Sequence, residues 1–285
     1  MKIIRFIIIG DSKGKEHGIN ENVLTKILSE SSKLKPEPEF IVMLGDMVAG
    51  SHDENVLKSQ LKRLRKLVEK FYPNKLLLPV VGNHEVNIEP LDDKYEKIFK
   101  EVYKDLYPDN FLKNYNNTVY YKDFRNMRAI ILNSFHFNSL HKIDETQLNW
   151  LKNIASSTMK SKILFVHSPA YPTGAHLGNC LDLYPECRDA FWNIVDNCNI
   201  QVVFSGHEHN YSRRRINSIN RSIYQVITGG GGEKLKDKYK DKKGVLVKPI
   251  AVYHFVVVDV EYDIIKVFAV NYKGEKLDEF VILTN

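Results

Sequence analysis

The chain has 285 residues, 43% hydrophobic and 27% charged, with a formal net charge of +6 from 41 basic and 35 acidic side chains. This is the composition of an ordinary globular protein, and its diffuse, mostly lysine-borne excess lacks the concentrated basic stripe of a nucleic-acid binder. Three cysteines, Cys180, Cys187 and Cys198, are too few and too odd in number for a disulfide framework, and their spacing is not that of a zinc knuckle. A Cys180–Cys187 pair stays open at this level.

The apolar start, Met1 to Ile9, is broken by Arg5 and runs into Gly10-Asp11 with no small-residue cleavage site, so it reads as a strand, Lys2–Gly10, and not as a secretion signal. No segment approaches the ~20 apolar residues that span a bilayer. The expectation is a soluble, cytoplasmic chain without a membrane partner.

A helix follows from about Asn20 to Leu34, capped by Asn20, with Val23, Leu24, Ile27 and Leu28 facing inward and Pro36 and Pro38 beyond its end. Strand Phe40–Leu44 delivers Gly45-Asp46. Leu57, Leu61, Leu64, Val68 and Phe71 mark an amphipathic helix. Strand Leu76–Val81 delivers Gly82-Asn83-His84-Glu85. The spacing then predicts a helix from Pro90 to about Leu106, and a strand pair, Asn114–Lys122 and Met127–Asn133, about a turn near Asp123–Asn126. Asp144 and Gln147 suit a capping box for a helix to about Ala155.

Strand Lys162–Val166 ends on His167, and the long loop Ser168–Tyr184 is of the kind that usually serves a site. After a helix at Glu186–Val195, strand Gln201–Ser205 ends on Gly206-His207-Glu208-His209. The remainder reads as strands: Tyr211–Ile219, Ser222–Thr228, Val252–Val260, Ile264–Asn271 and Glu279–Leu283. With no repeat and no linker, residues 1–285 read as one domain. βα units followed by antiparallel strands predict an α/β fold of two sheets packed face to face with helices outside. In such sheets ligands collect beyond the carboxyl ends of the strands, where all five polar clusters lie.

Those clusters suit two metal ions about 3.5–4 Å apart, which can clamp the attacking and leaving oxygens of a phosphoryl displacement. Asp46 suits the bridging position, Asp11 a terminal one on the first ion, and Asn83 and His167 the second. His207 and His209, two residues apart, can reach different ions. His84 suits a general acid toward the leaving oxygen, Glu85 a group that fixes an imidazole tautomer, and the nucleophile expected is a hydroxide on the ions.

The ordered set Asp11, Gly45-Asp46, Gly82-Asn83-His84-Glu85, His167 and Gly206-His207-Glu208-His209 resembles the calcineurin-like metallophosphoesterases. Val166 to Tyr171, Gly206 to Arg213 and the Gly229–Gly232 turn are similar to their purple acid phosphatase branch. The resemblance implies a four-layer α/β/β/α sandwich of two mixed sheets and dinuclear hydrolysis of phosphate esters by divalent or mixed-valence ions (Mn, Fe or Zn). It also implies that Asp11, Asp46 and His209 serve one ion, and Asp46, Asn83, His167 and His207 the other.

The chain departs from the pattern at the first ion. Asp11-Ser12-Lys13 stands where Asp-x-His is usual, and Ala49 where the purple enzymes carry a tyrosine. A weakened first site without a purple colour is therefore expected, with Lys13 touching substrate phosphate or standing in for cationic charge. His17 and His52 read as solvated loop residues that could fill the gap. Tyr171 and His176, on the long loop, are candidate substrate contacts; His136 and His141 read as structural. At most part of Arg213-Arg214-Arg215 can face one site. Gly229–Gly232 lacks the ending of a nucleotide phosphate loop, and Glu233–Lys243 reads as a mobile solvated excursion. The glycosylation patterns at Asn116 and Asn220 carry little weight without a secretion signal.

The reading is a metal-dependent phosphomonoesterase or phosphodiesterase acting on a phosphorylated small molecule or phosphoprotein. The alternatives are a nuclease, with nucleic acid as a less favoured partner, and a degenerate relative that binds metal and phosphate without turnover.

Overall fold

A computed structural model describes residues 3–106, 110–217 and 222–284. In chain order they form β1 (Ile4–Ile9), α1 (Glu21–Ser31), β2 (Phe40–Leu44), α2 (Glu54–Phe71), β3 (Leu76–Val80) and α3 (Lys94–Tyr103). Next come β4 (Tyr120–Phe124), β5 (Met127–Ile131), a small hairpin of β6 (Phe135–His136) and β7 (Ser139–Leu140), α4 (Glu145–Ala155), β8 (Ser161–Phe165), α5 (Pro185–Asn197) and β9 (Val202–Ser205). The last stretch holds β10 (Tyr211–Asn217), β11 (Ser222–Thr228), β12 (Val245–Ile250), β13 (His254–Val260), β14 (Ile264–Asn271) and β15 (Lys276–Leu283).

Two mixed sheets result, ordered β15-β14-β13-β1-β2-β3 and β12-β10-β11-β9-β8-β5-β4. β1, β2 and β3 run parallel, as do β5, β8, β9 and β11. β2 and β8 are buried along their whole length, as parallel strands covered on both faces require. Arg5 on β1 forks onto Asp259 of β13, with Nε and Nη2 each 2.6 Å from a carboxylate oxygen, and these two residues are register partners.

Between the sheets the core is aromatic. Phe6 stacks on Phe40 at 4.5 Å and meets Phe165 edge-on at 6.0 Å, and Phe165 stacks on Phe204 at 5.7 Å. A second apolar cluster seals the outer face of the first sheet against α1, α2 and α3, and a third seals the second sheet against α4 and α5. The layers are therefore α/β/β/α, as expected.

Local signals explain the helix starts. Asn20 accepts from the Val23 amide, Asp53 from those of Asn55 and Val56, and Asp144 from that of Gln147. The Gln147 side chain does not complete a capping box; it bridges the backbone of Asn133. Other expectations shift. α3 is shorter than Pro90–Leu106, and Asn114–Thr118 turns where a strand was expected because Asn114, Asn116 and Asn117 have positive φ. β12 was not anticipated. The expected extension of β10 to Ile219, and Asn220, lie outside the described residues, as do Met1 and Lys2. Cys180, Cys187 and Cys198 are unpaired. Among the described residues no helix is long and apolar enough to cross a membrane.

Candidate active site

β1, β2 and β3 of one sheet and β8 and β9 of the other all end at the same rim, and each hands the chain to one polar cluster. Asp11, Asp46, His167, Glu85 and Glu208 are fully buried there, and Asn83, His207 and His209 nearly so. Ligand atoms of Asp46, His167 and His207 lie within 4.8 Å of one another, and so do those of Asp11, Asp46 and His209. His167 Nε2 faces Asp46 Oδ1 at 3.2 Å, and His209 Nε2 faces Asp11 Oδ1 at 3.5 Å. Asp46 thus stands between two groups, and the two histidines of Gly206–His209 divide between them.

The backbone is bent to make this possible. Asp11, Asp46, His207 and His209 have φ of 59°, 48°, 69° and 53°, a left-handed region that residues with a side chain rarely adopt. Gly45 has φ 81°, and a Cβ there would stand 2.5 Å from His167 Nδ1; a Cβ on Gly206 would stand 2.5 Å from Asp11 Oδ2. The Asp11 amide donates to Gly45 O (3.0 Å) and the His207 amide to both Asp11 oxygens (3.1 and 3.0 Å), which links the two sheets at the site.

Glu85 does not hold an imidazole. Its carboxylate accepts from the amides of Asp46 (2.8 Å), Met47 (2.7 Å), Val48 (3.1 Å) and Gly82 (2.8 Å), so it shapes the turn that carries Asp46. The tautomers are fixed by main-chain carbonyls, which only accept. His167 Nδ1 donates to Leu44 O (2.8 Å), His209 Nδ1 to Lys234 O (3.1 Å) and His207 Nε2 to Asn179 O (3.3 Å). Each ring therefore turns its other nitrogen into the site. His84 Nδ1 donates likewise to Ala49 O (2.8 Å), leaving Nε2 3.9 Å from Asp46 Oδ2, while the His84 amide donates to Asp46 Oδ1 (3.1 Å).

Four inward atoms, Asn83 Oδ1, His167 Nε2, His207 Nδ1 and His209 Nε2, are buried and have no hydrogen-bond partner. Leaving such acceptors dry and unmatched costs free energy, and one amide oxygen, three imidazole nitrogens and two carboxylates form a donor set suited to borderline divalent cations. The residues fit a metal centre.

Lys13 projects into this group. Its Nζ lies 2.5 Å from Asp46 Oδ2, and its amide donates to Asp46 O (3.1 Å). Burial pushes Asp46 up, but Lys13 and His167 outweigh it and hold the carboxyl well below its ordinary range. Burial raises Asp11 to about 7. His167 is lowered by burial and lifted further by Asp46, to about 9. Burial and the neighbouring cations keep His207 well below its ordinary value and take His209 to about 2, so both rings are neutral, as ligands must be.

Around the site, Glu208, to which sequence reasoning gave no role, accepts from Thr173 N (2.5 Å), Thr173 Oγ1, Gly174 N (3.0 Å) and His176 N (2.9 Å), and so ties the long loop to the strand end. His176 comes to the site: its ring lies 4.4 Å from that of His207, and Nε2 lies 2.6 Å from Lys236 Nζ. Tyr171 does not. It packs edge-on against Trp192 at 5.0 Å, and its amide donates to Gln225, so the expected substrate contact is a packing residue of the second sheet's outer face.

Residues 233–243 are not a solvated excursion either. Their amides at Glu233, Lys236 and Lys240 donate to Asp11 O, His209 O and Thr173 O (2.9, 3.0 and 2.9 Å), and lay a lysine-rich segment along the site. A cleft of about 580 Å³ beside the site is lined by Lys13, Lys15, His84, Lys234, Leu235 and Tyr253 among others. His52 meets Asn87, and His17 is exposed in a single 3-10 turn, Glu16–Gly18; neither joins the ligand groups. His136 pairs with Glu96 (2.9 Å) and His141 sits against Phe135. Arg213 pairs with Asp278 and Arg214 with Asp241.

Four layers with an Asp, Asn and His cluster at the shared strand ends define a metallophosphoesterase, a class of phosphoric ester hydrolases. The chain belongs to the calcineurin-like phosphoesterase family, whose model matches residues 4–211. A serine/threonine-protein phosphatase, CPPED1 of Danio rerio, is 25% identical over 252 residues, which cover 86% of this chain and 76% of that protein. The Rattus norvegicus CPPED1 is 24% identical over 249 residues, 84% of this chain and 71% of that protein. Among solved structures, the purple acid phosphatase PPD1 of yellow lupin (Lupinus luteus) seeds superposes with a TM-score of 0.79 at 14% identity, covering 99% of this chain. The chain spans about half of that plant enzyme, 54% of its length. GAP50, the anchor in the inner membrane complex of Plasmodium, superposes at 0.68 with 15% identity over 99% of this chain and 89% of its own. At such identities these two structures speak for the fold.

Proposed function

We propose that this chain hydrolyses phosphate monoesters or diesters of a phosphorylated small molecule or phosphoprotein, with divalent or mixed-valence Mn, Fe or Zn held by Asp11, Asp46, Asn83, His167, His207 and His209. The observation that carries the reading is the convergence of four buried side-chain nitrogen and oxygen atoms without a hydrogen-bond partner on two carboxylates at one rim. Bound there, divalent cations lower the pKa of water and polarise the phosphoryl group.

The chain's own groups do the rest. His84, with its Nδ1–H held by Ala49 O, turns Nε2 toward the site, and in its imidazolium form would give the Nε2 proton to the leaving oxygen. Lys13, Lys15 and Lys234 line the adjoining cleft and offset the charge of a phosphate, while Leu235 and Tyr253 offer apolar contact to the ester group. Glu85 and Glu208 position the turns on which the ligands sit. A protein-borne substrate is supported by the names of the relatives, which are protein phosphatases. A nuclease is less well supported, because Arg213 and Arg214 are engaged in ion pairs. Three unpaired cysteines suit a reducing, cytoplasmic compartment, and we take residues 1–285 to work as one domain.

The binding-only alternative draws on one observation, that Lys13 stands among the ligands of the first ion. Turnover separates the readings. Chelated protein is given Mn, Fe, Zn or Mg and assayed on a chromogenic phosphomonoester and its bis-ester. Metal-restored hydrolysis is the expected result, and none with any metal would overturn the enzyme reading. His84→Ala is expected to keep its metal content while slowing poor leaving groups about 10²–10⁴-fold and good ones far less. Equal slowing of both would remove His84 as the proton donor.

A further inference from the structure

We infer that the ammonium of Lys13 is itself the resident cation of the first position, so that the protein binds a single divalent ion, at Asp46, Asn83, His167 and His207. The inference rests on the metal centre proposed above and narrows it, with Lys13 in place of the ion that Asp11 and His209 would otherwise hold.

Asp46 is the group that two ions would have to share, and its two oxygens are already divided. Oδ1 faces His167 Nε2 at 3.2 Å, on the side of the second ion, and Oδ2 holds Lys13 Nζ at 2.5 Å. A divalent ion bound through an oxygen sits about 2.0–2.2 Å from it. An ammonium nitrogen in hydrogen-bond contact with that oxygen occupies the same space and repels a second positive charge.

Lys13 is not a surface lysine that has folded inward. It is 6% exposed, and its backbone is clamped by Lys13 N to Asp46 O (3.1 Å), by a bridge to Ile19, and by Gly14 N to Gly18 O (3.2 Å). An ammonium has three donors. One goes to Asp46 Oδ2, and the Asp11 carboxylate and His209 Nε2 belong to the same group of ligand atoms as Asp46. At position 49 the chain offers only an alanine methyl and a carbonyl, and that carbonyl is taken by His84. The first position therefore has a built-in positive charge and few donors to hold another.

The test is Mn²⁺ titration by calorimetry and electron paramagnetic resonance, on chelated wild type, Lys13→Met and Lys13→Arg. One equivalent and an uncoupled Mn²⁺ spectrum are expected for wild type and Lys13→Arg. Lys13→Met is expected to take a second equivalent, bound at least on the order of a hundredfold more tightly than by wild type, with an exchange-coupled spectrum. Two equivalents of similar affinity in wild type, or a Lys13→Met protein that still takes one, would overturn the inference. Should Lys13→Met fail to fold, the wild-type stoichiometry decides alone. Failure of the hydrolysis assay leaves the count of ions unchanged, whereas wild type that binds no Mn²⁺ at all would remove the metal centre and this inference together.

Discussion

Glu85 and Glu208 each sit beside a metal-ligand candidate in the chain, yet neither touches a metal ligand's side chain with its own carboxylate. Each spends its oxygens on backbone amides: four for Glu85, at residues 46, 47, 48 and 82, and three for Glu208, with the Thr173 hydroxyl besides. A carboxylate can accept at both oxygens, whereas an amide side chain presents donors on one side. Glu85→Gln is therefore expected to set an NH₂ against amide donors and to destabilise the protein by about 2–4 kcal/mol, with a loss of about 10–100-fold in metal affinity. Denaturant unfolding and Mn²⁺ titration check this, and wild-type stability in the variant would refute the role. The sequence shows that Glu85 follows His84, which suggests an imidazole partner. It does not show that the turn after β2 brings three amides to the same point. The ring tautomers were equally hidden, because the carbonyls of Leu44, Asn179 and Lys234 carry no side-chain signature.

Among the elements, β13 begins on His254, which is fully buried between two main-chain and side-chain partners. Its Nδ1 donates to Val252 O (2.7 Å), and Nε2 lies 3.0 Å from the Thr228 hydroxyl, which donates to it while the ring is neutral. Burial lowers this histidine to about 4. The folded value lies below the ordinary 6.5, so its contribution is present above pH 6.5 and is lost as pH falls toward about 4. Between those values wild type should lose about 2–3 kcal/mol more stability than His254→Gln. Unfolding curves of chelated protein at successive pH values test it, and equal slopes for the two proteins would exclude the mechanism. Elements with strong apolar periodicity, such as α2, were legible from the sequence. β12 was not, since Lys248-Pro249 breaks its alternation and it pairs with β10 through register shifts. The segment 233–243 misled for a related reason: its side chains are those of a solvated loop, but its amides are what hold it to Asp11, His209 and Thr173.

At the scale of the whole molecule, the match to the family model ends at residue 211, and every metal-ligand candidate precedes that point. The fold does not end there. β13 pairs with β1 along five residues from Ile4 to Ile8, and β11 pairs with β9. Both sheets thus depend on strands that come after all the ligands. A chain cut at residue 211 is expected to carry all six candidate ligands and still fail to fold, because β1 and β9 would each become an unpaired, buried-type edge. Cooperative thermal unfolding together with Mn²⁺ binding by that fragment would contradict this. The layered architecture was legible because βα units followed by antiparallel strands leave two sheets whose apolar faces must cover each other. The order of strands within each sheet was not, since pairing between distant segments leaves little trace in either one alone.

Asp11, Asp46, His207 and His209 hold left-handed backbone that, outside glycine, costs on the order of 1–2 kcal/mol per residue. The rim that gathers the ligand candidates thus carries four such residues. Selection for heat tolerance alone, with no demand for turnover, would drift toward glycine or asparagine at position 207 and yield a sturdier, inert scaffold. Activity and robustness pull in opposite directions at that one spot.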